Sequence, residues 1–396
     1  MNRKVAALLT GLLLWPFAAV SATPLGPPQQ VNQFSTGDQQ LPAVAANAAG
    51  DIVVAWDSVG QDGSLNGIYA RRYGADGLPR GDEFRVNLRS DNRQTAPRVS
   101  IDDAGNFVVA WISNSQDQVG IGIYARRFAA SGAPLSGEIR VDMPRPSSAH
   151  FDLSMNGAGA FVIAWADKQK VGGFNSLDVQ TIRAQLFDPA GAARGPSFEA
   201  YTGNLIVARA PSVAMNAVGG FVAAWFVGPE GIYANRFDAA GNKLGQAFRV
   251  NPLGRSPAVD RPCVALQTDG GFTVVWETLL ADFTENGVHA RRYDAAARAL
   301  GPNFRVGTGL LRNPVVACST DGICTVVAHG NGIRMQSYGV AGNSLGPEQR
   351  VDNAASVRVP LFAAVATGAT GGLLIAWQQQ EAATGREVLL RRYAQP

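Results

Sequence analysis

The stretch GIYARRYGADGLPRGDEFRVN, Gly67–Asn87, decides the reading of this chain, because it returns as GIYANRFDAAGNKLGQAFRVN at Gly231–Asn251. Each copy holds two short strand-like runs joined by a glycine turn. Glycine is suited to that place because it adopts positive φ without a Cβ clash. In the second run Phe84 and Val86 flank Arg85, so the period-two alternation of a strand puts the apolar pair on one face and the Arg on the other.

Upstream of each copy lies an apolar phrase: GDIVVAW ending at Trp56, then GNFVVAW at Trp111, GAFVIAW at Trp165, GGFVAAW at Trp225, GGFTVVW at Trp276 and GGLLIAW at Trp377. A worn copy, GICTVVA, ends at Ala328 without its Trp. The period is about 50 residues, in the range of propellers, solenoids and arrays. Each unit resolves into a small apolar strand such as PAVAA, a tight turn, the Trp strand, a longer polar loop, then the GIYARRY and EFRVN strands. Four strands per unit with no helical periodicity predict an all-β, seven-bladed β-propeller of four-stranded antiparallel blades.

The chain stops just after a third strand, LLRRYAQP. The missing fourth lies at the other end, where PLGPPQQVN at Pro24–Asn32 matches SLGPEQRVD at Ser344–Asp352. Residues near Gln29–Asn32 are therefore expected to pair with the strand around Val388–Tyr393, so that the N-terminal strand completes the last blade and closes the ring without an open edge.

The repeat resembles the GxYxxRYDAxGxPxGxEFxVN units of exported and surface β-propeller repeat proteins of bacteria. The resemblance covers nearly the whole mature chain and implies the fold and a cell-envelope or extracellular setting, without any catalytic residue set. The third unit departs from it, with a longer insertion after Trp165 and FEAY in place of FRVN, as does the sixth, which lacks its Trp.

Residues 1–22 read as a cleaved secretory signal: Arg3 and Lys4 precede an apolar run that ends at the small residues Val20-Ser21-Ala22. Residues 23–396 then form one propeller domain. No later stretch is long and apolar enough to cross a bilayer, so the mature protein is expected to be a soluble monomer, periplasmic or extracellular, with no integral membrane segment. With 34 Lys and Arg against 31 Asp and Glu, the charge is small and scattered, without the basic stripe that a nucleic-acid partner requires.

No nucleophile elbow, phosphate-cradling loop or zinc-binding helix is present, and no cofactor is implied. The histidines His150, His289 and His329 fall in three different units without ligand spacing, so no metal site is expected. Cys318 and Cys324 flank the turn STDGI and are the disulfide candidate, leaving Cys263 as a small apolar side chain. The repeated Trp residues read as core rather than sugar platforms. The Arg71-Arg72, Arg126-Arg127, Arg291-Arg292 and Arg391-Arg392 pairs point to opposite faces of their strands and read as packing and pairing between blades.

The loops after the Trp strands are the long and variable ones, and strand alternation puts them on the same rim as the blade-to-blade connections. Any ligand is expected there. Asp57, Asp62, Asp117, Asp167, Glu277 and Asp282 supply acids on that rim and are the candidate ligand-binding residues. Two functions follow. One is a non-catalytic scaffold that binds a glycan or protein partner through the long-loop rim. The alternative is a glycoside hydrolase or polysaccharide lyase, which needs two carboxylates, or a base with a cation, at the channel mouth.

Overall fold

A computed structural model of the chain describes residues 21–114, 116, 120–142, 150–171, 177–202, 207–252, 261–279, 286–352, 362–368, 371–381 and 383–395. The expected signal segment, up to residue 20, lies outside the described residues. Seven antiparallel sheets follow one another along the chain, six with their strands in sequence order and the seventh completed by strands from the N-terminal end. Blade 1 consists of Gln39–Ala46, Ile52–Val59, Asn66–Tyr73 and Phe84–Arg85. Blade 2 starts with Gln94–Ile101, blade 3 with Phe151–Met155, blade 4 with Val207–Met215, blade 5 with Cys263–Leu266, blade 6 with Arg312–Cys318 and blade 7 with Ala363–Thr367. These first strands contact one another in order around the axis, the seventh returning to the first, so the architecture is a seven-bladed β-propeller.

Closure follows the expected register. Gln29 and Gln30 pair with Leu390 and Leu389 in the third strand of blade 7, and Thr23 and Pro24 pair with Ala394 and Tyr393. The two ends of the chain together make one blade, and the ring is not left with a free edge at the joint.

The core lies between blades. Each Trp strand presents Trp to the preceding blade and the alternate residues to the following one. Trp111 packs with Val53, Ala55 and Ile68 of blade 1, while Val108 and Ala110 pack with Trp165 of blade 3. Trp56 closes the circle against Leu374, Ala376 and Leu390 of blade 7. All six of these Trp residues are at most 1% exposed, which places them in the core.

The repeated phrase FRVN now has a reason at each position. Phe84 sits against Phe107 and Phe128 of the next blade, with ring centroids 6.4 and 5.5 Å away. Val86 is fully buried beside them, and Arg85 is exposed. The final Asn is a backbone cap: Asn87 Oδ1 accepts from the Ile68 amide at 2.7 Å, and Asn251 repeats the bond to Ile232 at 2.7 Å. Asp352 accepts from Ile333 at 3.1 Å, and Asn32 accepts from Val388 at 2.9 Å in the composite blade.

The arginine pairs join blades in both directions. The first Arg reaches back to the fourth strand of the preceding blade: Arg71 donates to the Val31 carbonyl at 3.0 Å, Arg126 to Val86 at 2.8 Å, Arg291 to Val250 at 3.1 Å and Arg391 to Val351 at 3.2 Å. The second reaches forward to the short turn of the next blade, Arg72 to the Ala130 carbonyl at 2.6 Å and Arg127 to Ala190 at 2.7 Å. Arg392 does the same to Ala75 at 2.7 Å across the ring joint. Cys318 and Cys324, paired in register across the first hairpin of blade 6, are joined by a disulfide, and Cys263 is free. Among the described residues no helix is long and apolar enough to cross a membrane.

Candidate binding rim and channel mouth

The Trp strand of blade 1 runs to Val59, further than its apolar phrase, so the residues after the Trp begin inside the sheet. Asp57 is therefore fully buried, facing blade 2, where its Oδ2 accepts from the Thr95 hydroxyl. Burial pushes its carboxyl up to about 6, against the opposing pull of Thr95, Arg93, the Ala96 amide and Asn66. Asn66 lies beside it, but neither Asp57 Oδ1 nor Asn66 Nδ2 has a partner in hydrogen-bonding geometry.

Glu277 occupies the same position in blade 5. Its Oε2 accepts from the Asn313 amide at 3.1 Å, and its Oε1 lies 3.9 Å from Arg312 Nε. In blade 7 the position is Gln378, whose Oε1 accepts from the Leu41 amide at 2.8 Å. Residues at this site thus hold the entry of the next blade's inner strand. Asp167 is also buried, opposite Thr181 in blade 3. Asp62 folds back on its own loop, accepting from the Ser64 amide at 3.1 Å and from Asn87 Nδ2 at 3.4 Å. Asp117 and Asp282 lie outside the described residues. The structure does not bring Asp57 and Glu277 together, since they belong to blades 1 and 5 and each faces its own neighbouring blade.

What they hold is a repeated irregularity. The inner strands bulge between Gln40 and Ala43, Thr95 and Arg98, Arg209 and Ser212, and Arg312 and Val315. At each bulge a non-glycine residue is left-handed: Leu41 at φ 52°, Ala96 at 54°, Ala210 at 51° and Asn313 at 48°, with Arg261 of blade 5 at 68°. Every one immediately precedes a proline: Pro42, Pro97, Pro211, Pro314 and Pro262. Such backbone costs on the order of 1–3 kcal/mol per residue and persists only where its surroundings impose it. The captured amides of Leu41 and Asn313 are part of that imposition.

These bulges, together with the entries of the other inner strands, ring the long-loop end of the axis. Their side chains differ from blade to blade: Gln40 and Leu41, Thr95 and Ala96, His150, Arg209 and Ala210, Arg261, Arg312 and Asn313, and Phe362. Arg261 leans over the Phe362 ring, 5.6 Å from its centroid, and donates to Asn313 Oδ1 at 3.4 Å. Two residues further in, the equivalent positions hold Ala43, Arg98, Asp152, Ser212, Cys263, Val315 and Ala364. Arg98 lies 3.4 Å from Asp152, whose Oδ2 accepts from the Val213 amide at 2.9 Å; Ser212 Oγ in turn accepts from Val264 at 3.2 Å. Desolvation raises the Asp152 carboxyl, with Arg98 opposing. Burial, then the Asp152 charge, pushes the Cys263 thiol up to about 11. This inner ring joins blades 2 to 5 and was not singled out from sequence. The residue after each repeated proline, compared across units, is the signal that would have found it. Among the described residues no group of three or more His, Cys, Asp and Glu could hold a metal ion.

The buried Asp57 predicts a pH dependence. Its folded pKa, about 6, lies above the ordinary value of 3.8, so the folded state binds the proton more tightly. The stabilisation from the protonated form is complete below pH 4 and is lost as pH rises through about 6. Asp57→Asn should therefore flatten melting temperature between pH 4 and 7.5 and stabilise the protein at pH 7.5 by about 1–3 kcal/mol. Parallel melting curves for parent and variant across that range would show that Asp57 ionises freely.

No family model matches the chain, and no curated protein matches it in sequence. Solved structures match in fold. An α-L-arabinanase of Penicillium chrysogenum complexed with arabinobiose superposes with a TM-score of 0.54 at 13% identity, over 93% of this chain and 98% of that one. The polysaccharide lyase Uly1 gives 0.56 at 7% identity over 93% and 99%. The β-propeller domain of the Trilobed protease from Pyrococcus furiosus, described as having an open velcro topology, gives 0.50 at 9% over 91% and 94%. At these identities the likeness is one of fold alone.

Proposed function

We propose that this chain is an exported propeller scaffold that binds a glycan or protein partner through its long-loop rim, without catalysis. The observation that carries the reading is the asymmetry of the two rims. On the short-turn rim, turn after turn has the same form and is engaged by an arginine of the preceding blade, as Ala75, Ala130 and Ala190 are. On the other rim five entries share a left-handed residue before proline, but their side chains vary around the ring, from Gln40 and Leu41 in blade 1 to Arg312 and Asn313 in blade 6. A common frame with variable side chains suits recognition. The carbohydrate-active enzymes among the structures of similar fold are compatible with a saccharide ligand, and the disulfide is compatible with export.

The glycoside hydrolase or lyase alternative is favoured by one observation, the Asp57 carboxyl raised into the range of a general acid. Against it, Asp57 is buried between blades 1 and 2 and engaged by Thr95. The test is a glycan array probed with the purified mature chain, followed by incubation of any bound glycan with the protein. Binding with the glycan recovered intact supports the scaffold; shortened or unsaturated products establish the enzyme.

Rim variants locate the face. Asp76 accepts from the Leu78 amide at 2.9 Å and Asn242 donates to Asp238 Oδ2 at 2.9 Å, so Asp76→Ala with Asn242→Ala should cost about 0.5–1 kcal/mol of stability yet keep binding. Asp62→Ala with Asp117→Ala should weaken partner binding at equal folded fraction. Asp62 also holds the Ser64 amide, so a small loss of stability is expected there too. Loss of binding only in the short-turn variant would put the functional face on the other rim.

A further inference from the structure

We infer that the channel mouth on the long-loop rim is an oxyanion site for an acidic saccharide, formed by Arg209, Arg261 and Arg312 of three consecutive blades. This deepens the proposed function and rests on its assignment of the binding face. Arg312 begins the inner strand of blade 6, Arg261 lies two residues before that of blade 5, and Arg209 is the third residue of that of blade 4. Arg209 lies over the Phe226 ring of its own blade, 5.1 Å from the centroid. At these entries the chain comes nearest to the propeller axis. Arg261 of blade 5 spans part of the mouth, reaching both Asn313 of blade 6 and the ring of Phe362, next to the first strand of blade 7.

The charge there is one-sided. Among the described residues at the bulged entries, blades 4 to 6 carry three arginines and no carboxylate, whereas blades 1 and 2 carry Gln40, Leu41, Thr95 and Ala96. Asp260, next to Arg261 in sequence, lies outside the described residues. Glu277 is held by the Asn313 amide and sits 3.9 Å from Arg312. The Arg312 side chain remains 49% exposed. Guanidinium groups present planar N–H forks that match carboxylate and sulfate oxygens, and a stacked guanidinium keeps its N–H edge available for such a partner. Phe362 adds an aromatic surface beside Arg261, suited to the apolar face of a sugar ring. A long nucleic-acid track does not fit three arginines at the mouth of one channel on a chain of net charge +3.

The test uses the full mature chain, titrated calorimetrically with polygalacturonate, dextran sulfate and neutral dextran at low and moderate salt. One or both anionic polymers should bind at least about tenfold more tightly than dextran, and more weakly as salt rises. Which of the two binds better separates carboxylate from sulfate as the natural group. Arg261→Gln with Arg312→Gln should lose at least about tenfold in affinity while its melting temperature stays near the parent's. Arg194→Gln with Arg298→Gln, which removes the same charge from the exposed short turns, should change affinity by less than about threefold. Equal loss in both double variants would show non-selective attraction to a cationic surface and overturn the inference, as would no anionic binding at all. Glycan-array binding that survives Arg261→Gln with Arg312→Gln would overturn the inference and leave the proposed function standing.

Discussion

Trp111→Ala is expected to lower the stability of the protein by about 3–5 kcal/mol while leaving rim binding by the folded fraction intact. The Trp111 ring is fully buried between blades 1 and 2, packed with Val53, Ala55 and Ile68 and stacked near Tyr124 with ring centroids 6.4 Å apart. Its indole N–H has no partner among the described residues, so the loss is one of burial and cavity rather than of a hydrogen bond. Every blade joint holds such an apolar layer, and the cavity would open within one of them. Chemical denaturation followed by Trp fluorescence and by far-UV dichroism measures the cost, and binding is compared at equal folded fraction. A variant that melts like the parent but no longer holds its ligand would mean that this ring meets sugar and not the neighbouring blade.

Removal of the closing strand should be more damaging still. A chain beginning at Gln33 loses the fully buried Val31 and the bonds from the Val31 amide to Val388 at 2.8 Å and from the Leu25 amide to Arg392 at 2.9 Å. It leaves the Val388 amide without Asn32 and the Arg71 guanidinium without the Val31 carbonyl. Glu387, 2% exposed, loses both Gln30 and Asn32, which donate to it. Each unsatisfied buried group costs about 1–3 kcal/mol, so a total of about 5 kcal/mol or more is expected, together with association through the newly opened edge. Differential scanning calorimetry with size-exclusion chromatography tests it. A truncated chain that elutes and melts like the parent would show that the ring does not depend on its joint.

The two predictions differ in how visible their basis was in the sequence. Trp111 and the closing strand were both legible, because a propeller makes the same local demand of every repeat. A strand covered on both faces reads as an unbroken apolar phrase, and the composite blade reads as Pro24–Asn32 matching Ser344–Asp352. The opposed facing of Arg71 and Arg72 was legible from alternation alone. Their acceptors were not, since the Val31 and Ala130 carbonyls are backbone atoms on other blades.

The rim was harder to read. Asp57 and Glu277 look like loop acids in a linear reading, yet the sheet extends past the Trp and encloses them. The five X-Pro steps at the inner-strand entries were visible as letters, but their left-handed backbone is imposed by neighbouring blades against the local preference of a residue before proline.

By itself, then, the sequence determined what depends on period and neighbour: the number of blades, the strand order within each, the buried Trp face and the closure of the ring. Only the tertiary structure decided which polar side chains are committed to the scaffold and which are left for a partner. Asp57 meets Thr95 of the next blade, and Arg261 meets Phe362 about a hundred residues away, because blades packed around one axis bring together side chains that no local pattern links along the chain.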